Sequence, residues 1–176
     1  MLKLAPFLST TQLPFQIWAD LRCQSSDLLV ATFKITDLTS AISLKNDFQS
    51  TAKDIMRQDE LWKSTCFEIF LRPKAEEKYY EFNFSLTPAW NCYVFDSYRK
   101  PQPPKSSHDF ELSTLSWQNH VLRAEIKNKT GYREFNVGLT TIIQDKENQL
   151  HYLAIDHAGE KPDFHLQDSF ILQRGF

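Results

Sequence analysis

Two carboxylates stand inside strand-like apolar runs: Glu68 between Phe67 and Ile69, and Glu81 between Tyr80 and Phe82. A charge in such a setting is either solvated on an open sheet face or held in a site, because burying it unpaired is costly. Side chains alternate along a strand. Glu68 therefore shares a face with Cys66 and Phe70, while Phe67, Ile69 and Leu71 take the other. Glu81 shares its face with Tyr79, Asn83 and Ser85, opposite Tyr80, Phe82 and Phe84. If the two runs pair as neighbours, Glu68, Glu81 and Asn83 lie side by side.

Aromatic and basic residues flank these runs. Trp62 precedes the first, Trp90 opens a third, and Tyr93, Asp96, Tyr98 and Arg99 follow. Acid, amide, guanidinium and indole together suit a sugar. Planar acceptors and donors bond adjacent hydroxyls, and an aromatic ring covers the apolar face of a pyranose. In that reading Trp62 stacks, Glu68 and Asn83 bond hydroxyls, and Arg99 holds the carboxylates or an acidic substituent. The plainer reading has the two acids solvated, or paired with Arg99, Arg72 or Lys78, and the indoles packed in a core.

The elements that must position these residues are strands. Residues 15–23 alternate, with Phe15, Ile17, Ala19 and Leu21 on one face. Residues 28–35 follow with Leu29, Ala31, Phe33 and Ile35. Strands are expected at 64–72, 79–86 and 90–97. A hairpin turns near Asn119, another turns between Asp145 and Asn148, and a last strand spans 169–174. The stretch 37–61 lacks a period of two. Ser50 or Thr51 could cap a short helix there, running to Arg57 with Ile55 and Met56 inward. The Pro-rich segment 100–109 reads as a loop that cannot hold a ladder. The pattern predicts one domain over 1–176, an all-β, two-sheet antiparallel β-sandwich of immunoglobulin-like or jelly-roll type with one short helix.

Bulk properties narrow the function. The chain has 176 residues, long enough for a full core, with 41% hydrophobic and 24% charged residues as in soluble domains. A net charge of −2 leaves no basic footprint for nucleic acid. With 4 Gly there is no Gly-rich phosphate loop. No run is long and apolar enough to span a bilayer, and Pro6, Thr10, Thr11 and Gln12 interrupt the one short apolar start, against a signal peptide. Three cysteines, Cys23, Cys66 and Cys92, without metal-type spacing suggest free thiols and a cytoplasmic, reducing location.

The stretches LWKSTCFEIFL, YYEFNFS, W..Y.FDSYR and HYLAIDHAGEKPDFHLQDSFIL resemble the DOMON-like superfamily, which includes the family 9 carbohydrate-binding modules. The chain is similar to small bacterial DOMON-like domain proteins from about Trp18 to Leu172. The resemblance implies a two-sheet sandwich with a ligand groove on the concave face of one sheet. It implies that Trp62 and Glu68 serve a saccharide. A second aromatic near the C-terminus completes the sugar clamp in the relatives; here Phe164 or His165 stands where a Trp is expected. Glu81, Asn83 and Arg99 join the site from strand geometry alone.

Other chemistries are weaker. Other branches of the superfamily hold haem through Met and His or Lys; Met56 and the histidines at 108, 120, 151, 157 and 165 are the candidates, with Met56 more at home as a core plug. Asp156, His157, Asp163 and His165 fall within ten residues but match no zinc signature, so a braced structural loop is expected. Glu68 and Glu81 could form an acid/base pair in the manner of a glycosidase, yet no nucleophile elbow is present. The expected function is non-catalytic binding, without cofactor or metal, of a saccharide or other small polar ligand through Trp62, Glu68, Glu81, Asn83, Trp90, Tyr93, Arg99, Phe164 and His165. A protein-interaction domain is the competing class.

Overall fold

Alternating apolar positions dictate two sheets that share one core. The computed structural model describes residues 1–8, 10–37 and 39–176. Its strands are β1 (Leu2–Lys3), β2 (Ala5–Pro6), β3 (Phe15–Cys23), β4 (Leu28–Asp37), β5 (Phe48–Thr51), β6 (Met56–Arg57), β7 (Cys66–Pro73), β8 (Tyr79–Ser85), β9 (Ala89–Phe95), β10 (Lys105–Ser106), β11 (Phe110–Gln118), β12 (Val121–Asn128), β13 (Glu134–Gln144), β14 (Leu150–Ala154) and β15 (Leu172–Gly175). One sheet runs β1-β3-β4-β12-β11-β5. The other runs β10-β9-β8-β7-β13-β14-β2, with β15 against β13 and β6 against β9. All pairings between named strands are antiparallel except β6 with β9.

The inward rows are those that alternation predicts. Phe15, Ile17, Ala19 and Leu21 on β3 and Leu29, Ala31, Phe33 and Ile35 on β4 are buried against Phe67, Ile69 and Leu71 on β7 and Tyr80, Phe82 and Phe84 on β8. On β11 a register shift between Leu112 and Thr114 adds one residue, so Leu112 and Leu115 both reach the core. The hairpin to β12 turns at Asn119 and His120, both with left-handed φ, as a two-residue turn between twisted strands requires. The β13–β14 hairpin turns with left-handed Asn148.

Three local expectations change. No helix forms between Thr51 and Arg57. Phe48–Thr51 pairs with β11, Ala52–Asp54 makes a single 3₁₀ turn, and Met56–Arg57 lies parallel to β9. Ladder partners on both sides outbid a helix too short to nucleate by itself. Met56 is 65% exposed, so it plugs no core. The Pro-rich loop does hold a short ladder, Lys105 and Ser106 pairing with Val94 and Tyr93 once the prolines are passed. At the C-terminus the strand begins at Leu172, and Phe170 leaves it to cover the sheet.

The outer face of β7, β8 and β9 departs most from a half-solvated sheet. Every residue of β8 is buried, and all of β7 except Arg72 is buried. A second apolar cluster of Phe70, Tyr79, Tyr93, Phe95, Ile142, Ala154, Phe164 and Phe170 covers this face. Gly138 admits Phe170: a Cβ there would lie 2.8 Å from the Phe170 ring.

Candidate functional site

Strand register assembles the floor of the site. Glu68 on β7 lies directly opposite Asn83 on β8 and Thr140 on β13. Glu81 lies opposite Phe70 on β7 and Tyr93 on β9. Glu68, Glu81 and Asn83 therefore do share one face. Thr140 donates to Glu68 Oε2 at 3.0 Å, and Asn83 Nδ2 donates to Glu81 Oε1 at 2.7 Å. Cys66 Sγ donates to the Asn83 carbonyl oxygen at 3.2 Å, fixing which end of the amide faces the acid.

Over this floor opens a pocket of about 670 Å³. Trp62, from the 3₁₀ turn Leu61–Lys63, and Phe70, Phe95, Ile142, Tyr152 and Phe164 supply apolar walls. Gln102, Pro103 and Pro104 close one side, and Lys161, Pro162 and His165 another. Glu68, Glu81 and Arg99 bring charge. Trp62 is half-buried and stands edge-on to Tyr93, centroids 5.6 Å apart, which leaves the rest of the indole to the cavity.

The loop that carries Asp163 and His165 is tied to the sheet by a chain of hydrogen bonds. The Arg99 backbone N–H donates to Tyr79 Oη at 3.1 Å. That hydroxyl lies 2.8 Å from His165 Nδ1. Nδ1 is the acceptor within reach of the Tyr79 proton, so we assign that proton to Nδ1 and the imidazole proton to Nε2, which lies 3.5 Å from Glu81 Oε2. Asp163 accepts from Arg99 Nη2 at 2.8 Å, from Tyr98 Oη at 2.5 Å and from the His165 backbone N–H at 3.0 Å. The loop residues expected to brace a turn thus brace it through Asp163. His165 bonds a phenol rather than a backbone carbonyl, and His157 Nε2 is the ring nitrogen that meets a carbonyl, that of Ala5 at 3.0 Å. No group of three or more potential metal ligands occurs among the described residues.

Burial sets the protonation of the site. It raises Glu68 well above the usual carboxylate range, and the neighbouring Glu81 raises it further. Burial also pushes Glu81 up, to about 7, against the opposing pull of Asn83 and Arg99. The same desolvation, with the Arg99 charge, lowers His165 to about 3, so its ring is neutral. Burial pushes Asp163 up, but the hydrogen bonds from Tyr98, Arg99 and His165 outweigh it and hold the acid below its ordinary value. The floor therefore holds one acid pushed well up, one acid at about 7 and a neutral imidazole.

Six of the nine residues expected at the site line the pocket: Trp62, Glu68, Glu81, Arg99, Phe164 and His165. Asn83 lies on the same face and orients Glu81 from beside it. Tyr93 also lies on that face, but its hydroxyl turns away to Asp59 at 2.7 Å and its ring backs Trp62. Trp90 is the correction. It pairs with Phe84, so it points between the sheets, 5% exposed, with the Arg57 guanidinium 4.5 Å over its ring. Sequence reasoning did not single out Phe70, Phe95, Thr140, Ile142 and Tyr152. Phe70 shares the parity of Glu68 and could have been read from it. Thr140, Ile142 and Tyr152 depend on the register of β13 and β14, and Pro103 on a loop folding back.

No helix among the described residues is long and apolar enough to cross a membrane. No family model matches the chain, and no curated protein matches it. Its fold is similar to that of a protein from Bacteroides uniformis whose crystal structure is described as that of a "putative carbohydrate-binding protein". The TM-score is 0.64 and the identity 11%, over 99% of this chain and 84% of that one. At that identity the likeness establishes a shared β-sandwich fold.

Proposed function

We propose that the outer face of β7–β8–β9 is a non-catalytic binding groove for a saccharide. One observation carries the reading: an aromatic-walled pocket of about 670 Å³ whose floor is made of two buried carboxyls, Glu68 and Glu81. Pyranose rings present an apolar face and a rim of hydroxyls, which this combination of Trp62 or Phe164 with acid and guanidinium groups complements. Burial favours the protonated form of Glu68, and a carboxyl in that form donates to one hydroxyl and accepts from another. Arg99 stands at the wall, held in place by Asp163. The sugar-binding relatives in the resemblance place a Trp and a carboxylate where Trp62 and Glu68 stand. The description of the structural neighbour supports the same reading, and membership of the DOMON-like superfamily rests on the sequence resemblance. Three unpaired cysteines, two of them buried, support a reducing, cytoplasmic setting.

The test is calorimetric titration of the protein with mono- and oligosaccharides, alongside Trp62→Ala and Glu68→Gln. Wild type is expected to bind at least one saccharide and to release it unaltered. Both variants are expected to lose binding while keeping nearly the wild-type melting temperature. Cleavage of the sugar would convict the binding-only reading. Silence across a broad saccharide panel would move the assignment to a protein-interaction domain.

A further inference from the structure

Among the described residues the two floor acids have no Lys or Arg in direct contact; Arg99 acts on them only at a distance. Glu68 is 2% exposed and Glu81 6%, yet no Lys or Arg among the described residues forms a salt bridge with either. Arg99 gives its guanidinium to Asp163, 2.8 Å away. The one ionisable side chain within ion-pair distance is His165, 3.5 Å from Glu81, and its Nδ1 is committed to Tyr79. Each carboxyl makes one short hydrogen bond, at one of its oxygens, and the Cys66 thiol adds a weaker contact to Glu68. Thr140 meets Glu68 at Oε2, leaving Oε1, and Asn83 meets Glu81 at Oε1, leaving Oε2 to the distant imidazole edge. Neither of these oxygens is sealed away, for the buried unpartnered side-chain atom among the described residues is Arg72 Nε. They open into the pocket that both residues line.

The surroundings favour positive charge as well. Trp62, Phe70, Phe95, Tyr152 and Phe164 present π-systems to the cavity, and ring faces attract cations. The groups facing the acids from each packed element are Cys66 on β7, Tyr79 on β8, Tyr93 on β9, Arg99 after β9, and Asp163 and His165 in the loop over the sheet. Of these, Arg99 alone is cationic; its guanidinium is bonded to Asp163, and it reaches the acids only through its field. Lys161 lines the pocket too, but it is an exposed side chain at the mouth. Charge is thus segregated, with acids at the bottom and a base at the rim.

We infer that the saccharide taken by this groove is an amino sugar, whose ammonium enters between Glu68 and Glu81 beneath the aromatic walls. The inference rests on the saccharide reading above and names its ligand class. The ammonium brings a cation into direct contact with the acids, and two of its three N–H groups match the two open carboxyl oxygens. A hydroxyl at the same place can meet the same oxygens but brings no positive charge to favour the ionised form of Glu81.

The experiment is a calorimetric series on the intact protein with glucose, glucosamine, N-acetylglucosamine, glucuronate and cyclohexylamine. Glucosamine is expected to bind about tenfold or more tightly than glucose or N-acetylglucosamine, the scale of one charge-assisted contact in a dry site. Glucuronate is expected to bind more weakly still. Glu81→Gln, which is isosteric, is expected to shrink the ratio of glucosamine to glucose affinity towards one. Equal binding of glucose and glucosamine would overturn the amino-sugar inference and leave the saccharide reading standing. A preference for glucuronate would do the same and move the recognition to Arg99 and Lys161. Cyclohexylamine binding as tightly as glucosamine, or no binding by any sugar, would overturn both. Should Glu81→Gln fail to fold, the wild-type ligand series decides the question alone.

Discussion

Tyr79 and His165 meet hydroxyl to Nδ1 at 2.8 Å, and through that contact the loop over the sheet is fastened to β8, the strand that carries Glu81. The phenol is pushed up to about 12 by burial, so it stays protonated and remains a donor across the accessible pH range. The neutral imidazole in turn sets its Nε2–H edge towards Glu81.

Tyr79→Phe tests that fastening. It deletes the acceptor of the Arg99 N–H and the donor to Nδ1 while keeping the ring stacked on Phe95, 4.9 Å between centroids. Leaving two buried polar groups unpaired is expected to cost about 2 kcal/mol. Urea denaturation measures that loss, and saccharide affinity is expected to fall with it as His165 loosens. An unchanged denaturation midpoint would mean that the loop is held by Asp163 alone.

The floor acids give stability an uncommon pH slope. Glu81 has a folded value of about 7 against an ordinary 4.5, so the folded state binds more protons between those values. Its contribution is complete below the unfolded value and is lost as pH rises through the folded one, an effect of roughly 1–3 kcal/mol. His165, lowered to about 3 from 6.5, acts in the opposite sense: its contribution is present above the unfolded value and lost as pH falls. The difference between wild type and Glu81→Gln isolates the carboxyl. Denaturation curves from pH 4.5 to 7.5 are expected to show the wild type losing ground to the variant as pH rises. Parallel profiles would mean that Glu81 is solvated enough to titrate normally.

The two tryptophans that look alike in sequence are expected to behave differently. Trp90→Ala hollows the core beside Phe84 and removes the ring beneath Arg57, at a cost of about 3–5 kcal/mol. Trp62→Ala trims a half-buried ring at the pocket wall and is expected to cost about 1 kcal/mol while removing ligand affinity. Paired denaturation and binding measurements check the contrast. Equal stability losses would place Trp62 in the core as well.

Gly138 and Phe170 are coupled by contact. Gly138→Ala brings a methyl within 2.8 Å of the Phe170 ring and displaces it from its stack on Phe70, at a cost of about 1–3 kcal/mol. In the double variant with Phe170→Ala the clash disappears, so the two losses are expected to be less than additive. Strict additivity, measured by a double-mutant cycle, would show that Phe170 yields without strain.

Much of this was legible in the residues. Alternation in 15–23, 28–35, 64–72 and 79–86 predicts which side chains enter the core, because a strand offers two faces and no others. It also predicts that Glu81 and Asn83 share a face, and that Glu68 joins them if the two strands pair, which the β7–β8 ladder provides. Polar turns at Asn119 and Asn148 carry the left-handed conformations that close the hairpins. The stretch 48–57 was less legible because strands of two to four residues have too few positions to show a period. They exist only because β9 and β11 offer them ladders.

What the chain alone determined, then, is the all-β architecture and the face of its own strand that each acid takes. Both follow from local rules, the period of two and the chemistry of turns. What only tertiary structure decided is whether that face meets water. Phe164, Phe170 and His165 lie about a hundred residues beyond Glu68, and no local pattern brings them back over β7 and β8. Long-range packing does so, through Gly138 beneath Phe170 and Tyr79 beneath His165. It turns Trp90 inward by its register with Phe84, leaves Trp62 at the wall, and removes water from two carboxyls that a solitary sheet would have left solvated.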